Sequence, residues 1–209
     1  QLALLTDMAE KDGDHTLHLQ LGKTAAYRGL PVDALAFPTS AIPKSAKTGS
    51  VDKAVVYAIA RQESGFHTGA VSQAGALGLL QLLPGTAQQM AKKAGVSYSK
   101  AKLTSDGAYN ATLGAQFLDH LFERFNGSYV MTFAAYNAGP SRVADWTNRF
   151  GDPRDPNVDV VNWIEMIPFT ETRNYVQRIM ENMQVYRARL GSPALTIEND
   201  LKGGGGRRG

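Results

Sequence analysis

Lys53-Ala54-Val55-Val56-Tyr57-Ala58-Ile59-Ala60-Arg61-Gln62-Glu63-Ser64-Gly65-Phe66 is the stretch on which the reading of this chain turns. Val55, Ile59 and Glu63 stand at i, i+4 and i+8, with Val56 and Ala60 close to the same stripe. That spacing predicts one apolar face of a helix over 52–64, with a carboxylate at its mouth. Withdrawal from water disfavours the charged form of a carboxyl and raises its pKa. A carboxyl that keeps its proton near neutrality can act as a general acid. The bland alternative is a solvated Glu at a helix C-terminus, where it opposes the dipole.

Working outward, the pattern stays helical. Tyr109, Leu113, Phe117, Leu121 and Phe125 recur every fourth residue, with Leu118 and Phe122 alongside, so 106–125 reads as a helix closed by Gly127. Pro84-Gly85-Thr86 opens a helix that Gly95 stops. Residues 129–137 are apolar and end at Gly139-Pro140; 141–150 follows with Ser141 as N-cap. Residues 158–166 are short and apolar. The last long helix spans 170–190, with Thr170 or Thr172 as cap and Val176, Ile179, Met180, Met183 and Tyr186 as buried stripe. Trp146 and Trp163 at helical spacing read as packing residues. No strand pair has a convincing hairpin turn, and no 20–50-residue repeat is present. The fold class expected is all-α.

Organisation follows from composition shifts. Residues 1–50 read as the short helical tail of a preceding domain plus a linker. The Pro- and Gly-bearing part, 29–50, is expected to lie over the surface. Residues 51–192 form the main domain, and 193–209 a flexible tail rich in Gly and Arg. The chain begins at Gln1 without a signal-peptide pattern and reads as a piece trimmed from something longer.

Several classes are set aside. The formal charge of +3 equals that of the tail residues Lys202, Arg207 and Arg208, so the body is balanced and carries no nucleic-acid footprint. The absence of Cys removes disulfides and thiolate zinc. His15, His18, His67 and His120 lack metal-ligand spacing, so neither metal nor cofactor is expected. No apolar run of about 18 residues marks an integral membrane segment.

Four pieces lie in order along the core: Glu63-Ser64-Gly65-Phe66; Ser72-Gln73-Ala74-Gly75-Ala76-Leu77-Gly78-Leu79-Leu80-Gln81-Leu82-Leu83-Pro84; Ala134-Ala135-Tyr136-Asn137-Ala138-Gly139-Pro140; and Ile167-Pro168-Phe169-Thr170-Glu171-Thr172-Arg173-Asn174-Tyr175-Val176. Together they resemble the soluble lytic transglycosylases with a Slt-type, lysozyme-like domain, over about residues 50–190. The resemblance implies cleavage of the MurNAc-β-1,4-GlcNAc bond of peptidoglycan without water, the muramyl C6 hydroxyl attacking its own anomeric carbon to leave a 1,6-anhydro end. It implies Glu63 as acid and then base, with substrate assistance by the N-acetyl carbonyl. It further implies peptidoglycan strands as the partner, a monomer, and the periplasm of a Gram-negative bacterium.

The residues fit a one-carboxyl scheme. Ordinary glycosidases flank the bond with two carboxyls, yet no Asp or Glu occurs from Ser64 to Ser105, which leaves Glu171 as the leading distant candidate. By the resemblance Glu171 lines the groove or orients neighbours. Ser72, Gln81 and Asn137 offer hydrogen bonds to acetamido and hydroxyl groups, and Tyr136 a ring and a hydroxyl beside Glu63. Gly75 and Gly78 permit tight turns and close approach of sugar to backbone. Each has a plainer role open to it: Ser72 as turn former, the glycines as packing, Tyr136 and Asn137 as helix-end groups, Glu171 as dipole partner. Leu80 and Leu83 stand where the family usually has Met, so function kept with an altered fit to the sugar is expected at both, Leu83 as a substrate-binding residue. Two other readings compete: a goose-type lysozyme using water, and an inactive peptidoglycan-binding scaffold. Residues 1–50, through Tyr27-Arg28-Gly29-Leu30-Pro31 and Ala36-Phe37-Pro38, also resemble the end of the helical domain that precedes the catalytic one in longer members.

Overall fold

The computed structural model describes residues 4, 8, 11–30, 36–191 and 197–202. Pro31 and the tail residues Arg207 and Arg208, used above, lie outside the described residues.

Helix α1 runs His15–Tyr27, α2 Lys53–Glu63, α3 Pro84–Lys93, α4 Lys102–Ser105, α5 Gly107–Arg124, α6 Tyr129–Ala138, α7 Pro140–Phe150, α8 Val160–Glu165, α9 Thr170–Arg189 and α10 Ile197–Leu201. The all-α expectation holds. Capping side chains start the helices where short polar residues precede apolar runs. Asp52 accepts from Ala54 N, Asp106 from Tyr109 N, and Ser128 from Met131 N.

Two caps fall elsewhere than the sequence suggested. Helix α7 begins one residue earlier, at Pro140, with Gly139 in the cap position and no side-chain cap. The fixed φ of Pro suits a first helical position, so Ser141 is already inside. Helix α9 is preceded by Phe169, again without a side-chain cap. The Thr172 hydroxyl is directed instead to Asn137 Oδ1, 2.6 Å away. Helix α4 was not anticipated; four residues are too few to display a period.

Helix α2 is more deeply placed than one stripe implies. Every residue from Ala54 to Ala60 is buried. A helix apolar on all sides belongs at the centre of a domain. It packs chiefly on α9 and also touches α5, while α9 in turn packs on α6. Segment 36–51 covers another side, and this overturns its reading as a surface connector. Ala36, Ala41, Ile42 and Val51 are buried, Phe37 stands edge-on to Tyr186, and the Tyr57 hydroxyl donates to Thr39 O at 2.5 Å. Proline interrupts helices but does not keep its apolar neighbours out of a core. Leu19 of α1 joins the same core near Gly65. Trp146 and Trp163 are buried, the latter donating its indole N–H to Gly151 O.

A second, smaller core holds Leu77, Leu82, Ala87, Met90, Ala91, Leu103 and Leu113 beneath loop 70–83. Two isolated antiparallel bridges, Val71 with Leu77 and Leu77 with Leu82, shape this loop. Phe117 packs against both cores and lies 5.2 Å from the Tyr136 ring, joining the lobes.

Candidate active site

Glu63 is the last helical residue of α2. Its neighbour Ser64 ties the helix end to the loop, donating its hydroxyl to Leu79 O at 2.8 Å. The carboxylate accepts one hydrogen bond, at Oε1 from the Tyr175 hydroxyl, 2.7 Å away. Burial pushes the Glu63 pKa up from 4.5 to about 7; the Tyr175 bond opposes that rise, and the charge of Glu171 adds to it. Near neutral pH the group is therefore balanced between acid and base forms. Tyr175 stays protonated, because burial first, and then the Glu63 charge, hold its hydroxyl well above the usual range.

Glu63 opens into a cleft of about 340 Å³ shared with Gln62, Asn137, Glu171, Asn174, Tyr175 and Arg178. That size lies within the roughly 300–1,000 Å³ typical of ligand pockets. Four of these residues come from α9. Positions 171, 174, 175 and 178 are i, i+3, i+4 and i+7, so one helix face supplies a whole wall. Asn137, at the end of α6, is held by the buried Thr172 hydroxyl. Among the described residues no cluster of His, Asp or Glu has the form of a metal site.

The structure thus brings Glu63, Asn137 and Glu171 together. The other expected positions are placed differently. The Tyr136 hydroxyl donates to Leu80 O at 2.7 Å, so it braces the loop rather than bonding Glu63. Ser72 Oγ accepts from Ala76 N, the turn-forming role. Gln81 adopts φ +47°, and its Nε2 donates to Gly78 O and Ala70 O, which leaves only its side-chain carbonyl for a ligand. Leu83 is 48% exposed at the start of α3, whereas Leu80 is fully buried over Gly114. Leu80 is therefore a packing residue, and its difference from Met does not reach the cleft. Gly78 is approached by the protein itself: a Cβ there would lie 2.0 Å from Leu103 O.

Tyr175, Asn174, Arg178 and Gln62 were not singled out from sequence. The available signal was their spacing from Glu171 along α9 and, for Gln62, adjacency to Glu63.

The described residues thus form an all-α domain with a half-buried acid at the end of its central helix, opening on a polar cleft. The chain belongs to the transglycosylase SLT domain family, whose model matches residues 40–158. A second model, the soluble lytic transglycosylase helical domain, matches residues 166–194, which fall on α9 rather than on residues 1–50. The soluble lytic murein transglycosylase of Escherichia coli K12 is 34% identical over 142 residues, 68% of this chain and 21% of that protein. The membrane-bound lytic murein transglycosylase C of Haemophilus ducreyi is 27% identical, covering 82% of this chain and 53% of that one. The chain thus spans about a fifth of the soluble relative's length. Among solved structures, the 70 kDa soluble lytic transglycosylase of Escherichia coli matches with TM-score 0.81 and 29% identity, over 95% of this chain and 32% of that chain. An inactive Glu-to-Gln mutant of Slt from Pseudomonas aeruginosa matches with TM-score 0.76 and 33% identity, over 93% and 31%.

Proposed function

We propose that this domain is a peptidoglycan lytic transglycosylase in which Glu63 alone carries the proton transfers. The observation that carries the reading is the Glu63 carboxyl itself, raised to about 7, with a tyrosine rather than a second carboxylate as its hydrogen-bond partner. In the first step protonated Glu63 donates to the glycosidic oxygen as the bond from the muramyl anomeric carbon breaks. In the second, the Glu63 carboxylate accepts the proton of the muramyl C6 hydroxyl as O6 bonds to that carbon. The proton count closes and Glu63 ends as it began. Tyr175 orients the carboxyl and stabilises its charged form between the steps. Asn137, fixed by Thr172, and Asn174 present amides to the acetamido groups, and Glu171 holds the wall at the start of α9. Ser72, Gln81 through its carbonyl, and Leu83 would meet the strand further along. We place the whole protein in the bacterial cell envelope, acting on periplasmic peptidoglycan as a monomer, with residues 1–50 the end of a preceding helical unit. The likeness to a lytic transglycosylase captured in complex with bulgecin A, at 28% identity, supports a glycan-sized groove.

The deciding experiment is mass spectrometry of muropeptides released from purified sacculi. Products one water lighter than reducing muropeptides are expected. Reducing ends would make the domain a lysozyme, and sedimentation with sacculi without release would make it a binding module.

Two substitutions should move the pH–rate profile in opposite directions. Tyr175→Phe removes the bond that favours ionised Glu63, so the high-pH limb should move up by about half to one pH unit. Glu171→Gln removes a charge that raises the Glu63 pKa, so the limb should move down by a similar amount. Profiles of kcat between pH 4 and 9 check both. Tyr136→Phe leaves Leu80 O without its donor and should cost about 1–2 kcal/mol in thermal unfolding.

A further inference from the structure

Helices α2 and α9 run antiparallel and are fastened to each other at both ends. At one end the Tyr175 hydroxyl donates to Glu63 Oε1 at 2.7 Å. At the other, Arg187 Nε donates at 2.8 Å to Oδ2 of Asp52, the cap of α2. The spans match: Asp52 to Glu63 is about 16 Å along α2 and Tyr175 to Arg187 about 18 Å along α9, at about 1.5 Å per residue. Between the ends, α9 buries Val176, Ile179, Met180 and Met183, which pack without directional bonds. Arg61 of α2 also donates to Asn182 Oδ1 at 3.1 Å, but from the end of a long side chain that can follow a shift.

Arg187 is the centre of a buried charged cluster. Besides Asp52, its Nη2 donates at 2.7 Å to the hydroxyl of Tyr129, the first residue of α6, and its Nη1 donates to Asp200 Oδ2 of α10. Gln184 Nε2, one turn back on α9, donates to the same Asp200 oxygen at 2.6 Å. The Arg187 side chain is 4% exposed and that of Asp200 0%. One guanidinium thus joins the starts of α2 and α6, the end of α9, and α10. The far ends of the first three carry Glu63, Asn137, and Glu171 with Tyr175. A buried ion pair gives folding little that apolar side chains of the same volume would not, because desolvation offsets the attraction. What it adds is direction. A planar fork satisfied by acceptors on three other elements admits one register, whereas an apolar stripe tolerates a slide.

We propose that Arg187, clamped by Asp200, is a positioning residue that sets the register of α9 on α2 and thereby the contact of Tyr175 with Glu63. Helix α10 then serves the active site from the opposite end of α9. The effect on turnover rests on the transglycosylase reading; the register does not. A misplacement of about 1 Å can cost about a hundredfold in rate, so a loosened register needs no large movement to be felt.

The test is a cycle between the two ends, made in the full chain. Arg187→Met combined with Asp200→Leu replaces the buried pair by apolar side chains, leaves Asp52 capping α2 through Ala54 N, and should keep the fold. Tyr175→Phe is the other change. Glu63 is titrated by carbon NMR of isotope-labelled glutamate, which needs no turnover. The charged and titratable groups facing it are Tyr175, Glu171 and Arg178 of α9 and Tyr136 of α6, and the paired replacement alters none of them. It should nevertheless raise the Glu63 pKa by about half to one unit, as loss of the Tyr175 bond does, and adding Tyr175→Phe should raise it no further. Sites so far apart are otherwise additive, so two additive shifts, or a Glu63 pKa that does not respond, would overturn the proposal. In turnover the paired replacement should lower kcat about tenfold and change KM less than about twofold. Arg187→Lys keeps the buried charge but cannot reach Asp52, Tyr129 and Asp200 at once. It covers the case of a paired replacement that does not fold, and it should show the same coupled shift; an unchanged Glu63 in that variant would equally overturn the proposal. Absence of cleavage by every form, wild type included, would overturn the transglycosylase reading and leave the titration to decide the register.

Discussion

Glu63→Gln should abolish strand cleavage, by at least a thousandfold, and at the same time make the protein more stable. The loss follows from the proposed scheme, in which both proton transfers pass through one carboxyl and no second group is bonded to take over. The gain follows from the same burial that makes the acid useful. The folded-state pKa, about 7, lies above the ordinary 4.5. Between those values the unfolded chain ionises while the folded one still holds its proton. Folding is therefore penalised increasingly as pH rises from about 4.5, with the full penalty above about 7. Each pKa unit corresponds to about 1.4 kcal/mol, so the penalty is roughly 3 kcal/mol at most. Gln keeps an acceptor for the Tyr175 hydroxyl and carries no charge to desolvate. The variant should gain about 1–3 kcal/mol at pH 8 and almost nothing at pH 4, measured by thermal or urea unfolding at both pH values. Equal stability of the two proteins at pH 8 would mean that Glu63 is better solvated than its setting implies. Wild-type-like turnover would end the one-carboxyl mechanism.

That trade of stability for chemistry bears on what the sequence could tell. The i, i+4, i+8 spacing located the acid and the helix, and the four ordered pieces pointed to the family. The spacing understated α2, because a one-sided pattern in eleven residues does not reveal that α9, α5 and segment 36–51 close around it. It also favoured Tyr136 over Tyr175. Both tyrosines stand in the quoted motifs, and only the crossing of α9 over α2 decides which hydroxyl meets Glu63. Ser72 and Gln81 were selected for their polar groups, yet in a loop without regular pairing such groups first satisfy the backbone. Glu171 was legible as the leading distant carboxylate, at the start of the last helix; Arg178, seven residues on, needed the fold.

Gly78→Ala should be among the most damaging single substitutions outside the acid, while Gly75→Ala, at nearly the same backbone angle, should be mild. Gly75 has φ +78° and open space around its missing Cβ, so alanine there meets only the left-handed strain of about 1–2 kcal/mol. Gly78 has φ +77°, and its Cβ would fall 2.0 Å from Leu103 O and 2.2 Å from Asn110 Nδ2. Neither neighbour can yield. Asn110 is fully buried on α5 and holds the loop to the small core by three bonds: Oδ1 accepts from Leu80 N, and Nδ2 donates to Leu77 O and Leu103 O. Displacing it orphans buried backbone groups, each costing about 1–3 kcal/mol. Gly78→Ala should therefore lose about 4 kcal/mol or more, and Asn110→Leu, which keeps the volume but none of the bonds, about 3–5 kcal/mol. Because Leu79 O and Leu80 O anchor Ser64 and Tyr136, both variants should lose cleavage activity at temperatures below their melting points, whereas Gly75→Ala should retain it. Unfolding curves and muropeptide release, measured on the three variants side by side, check the contrast. A Gly78→Ala protein as stable as Gly75→Ala would mean that loop 70–83 is not fastened through Asn110.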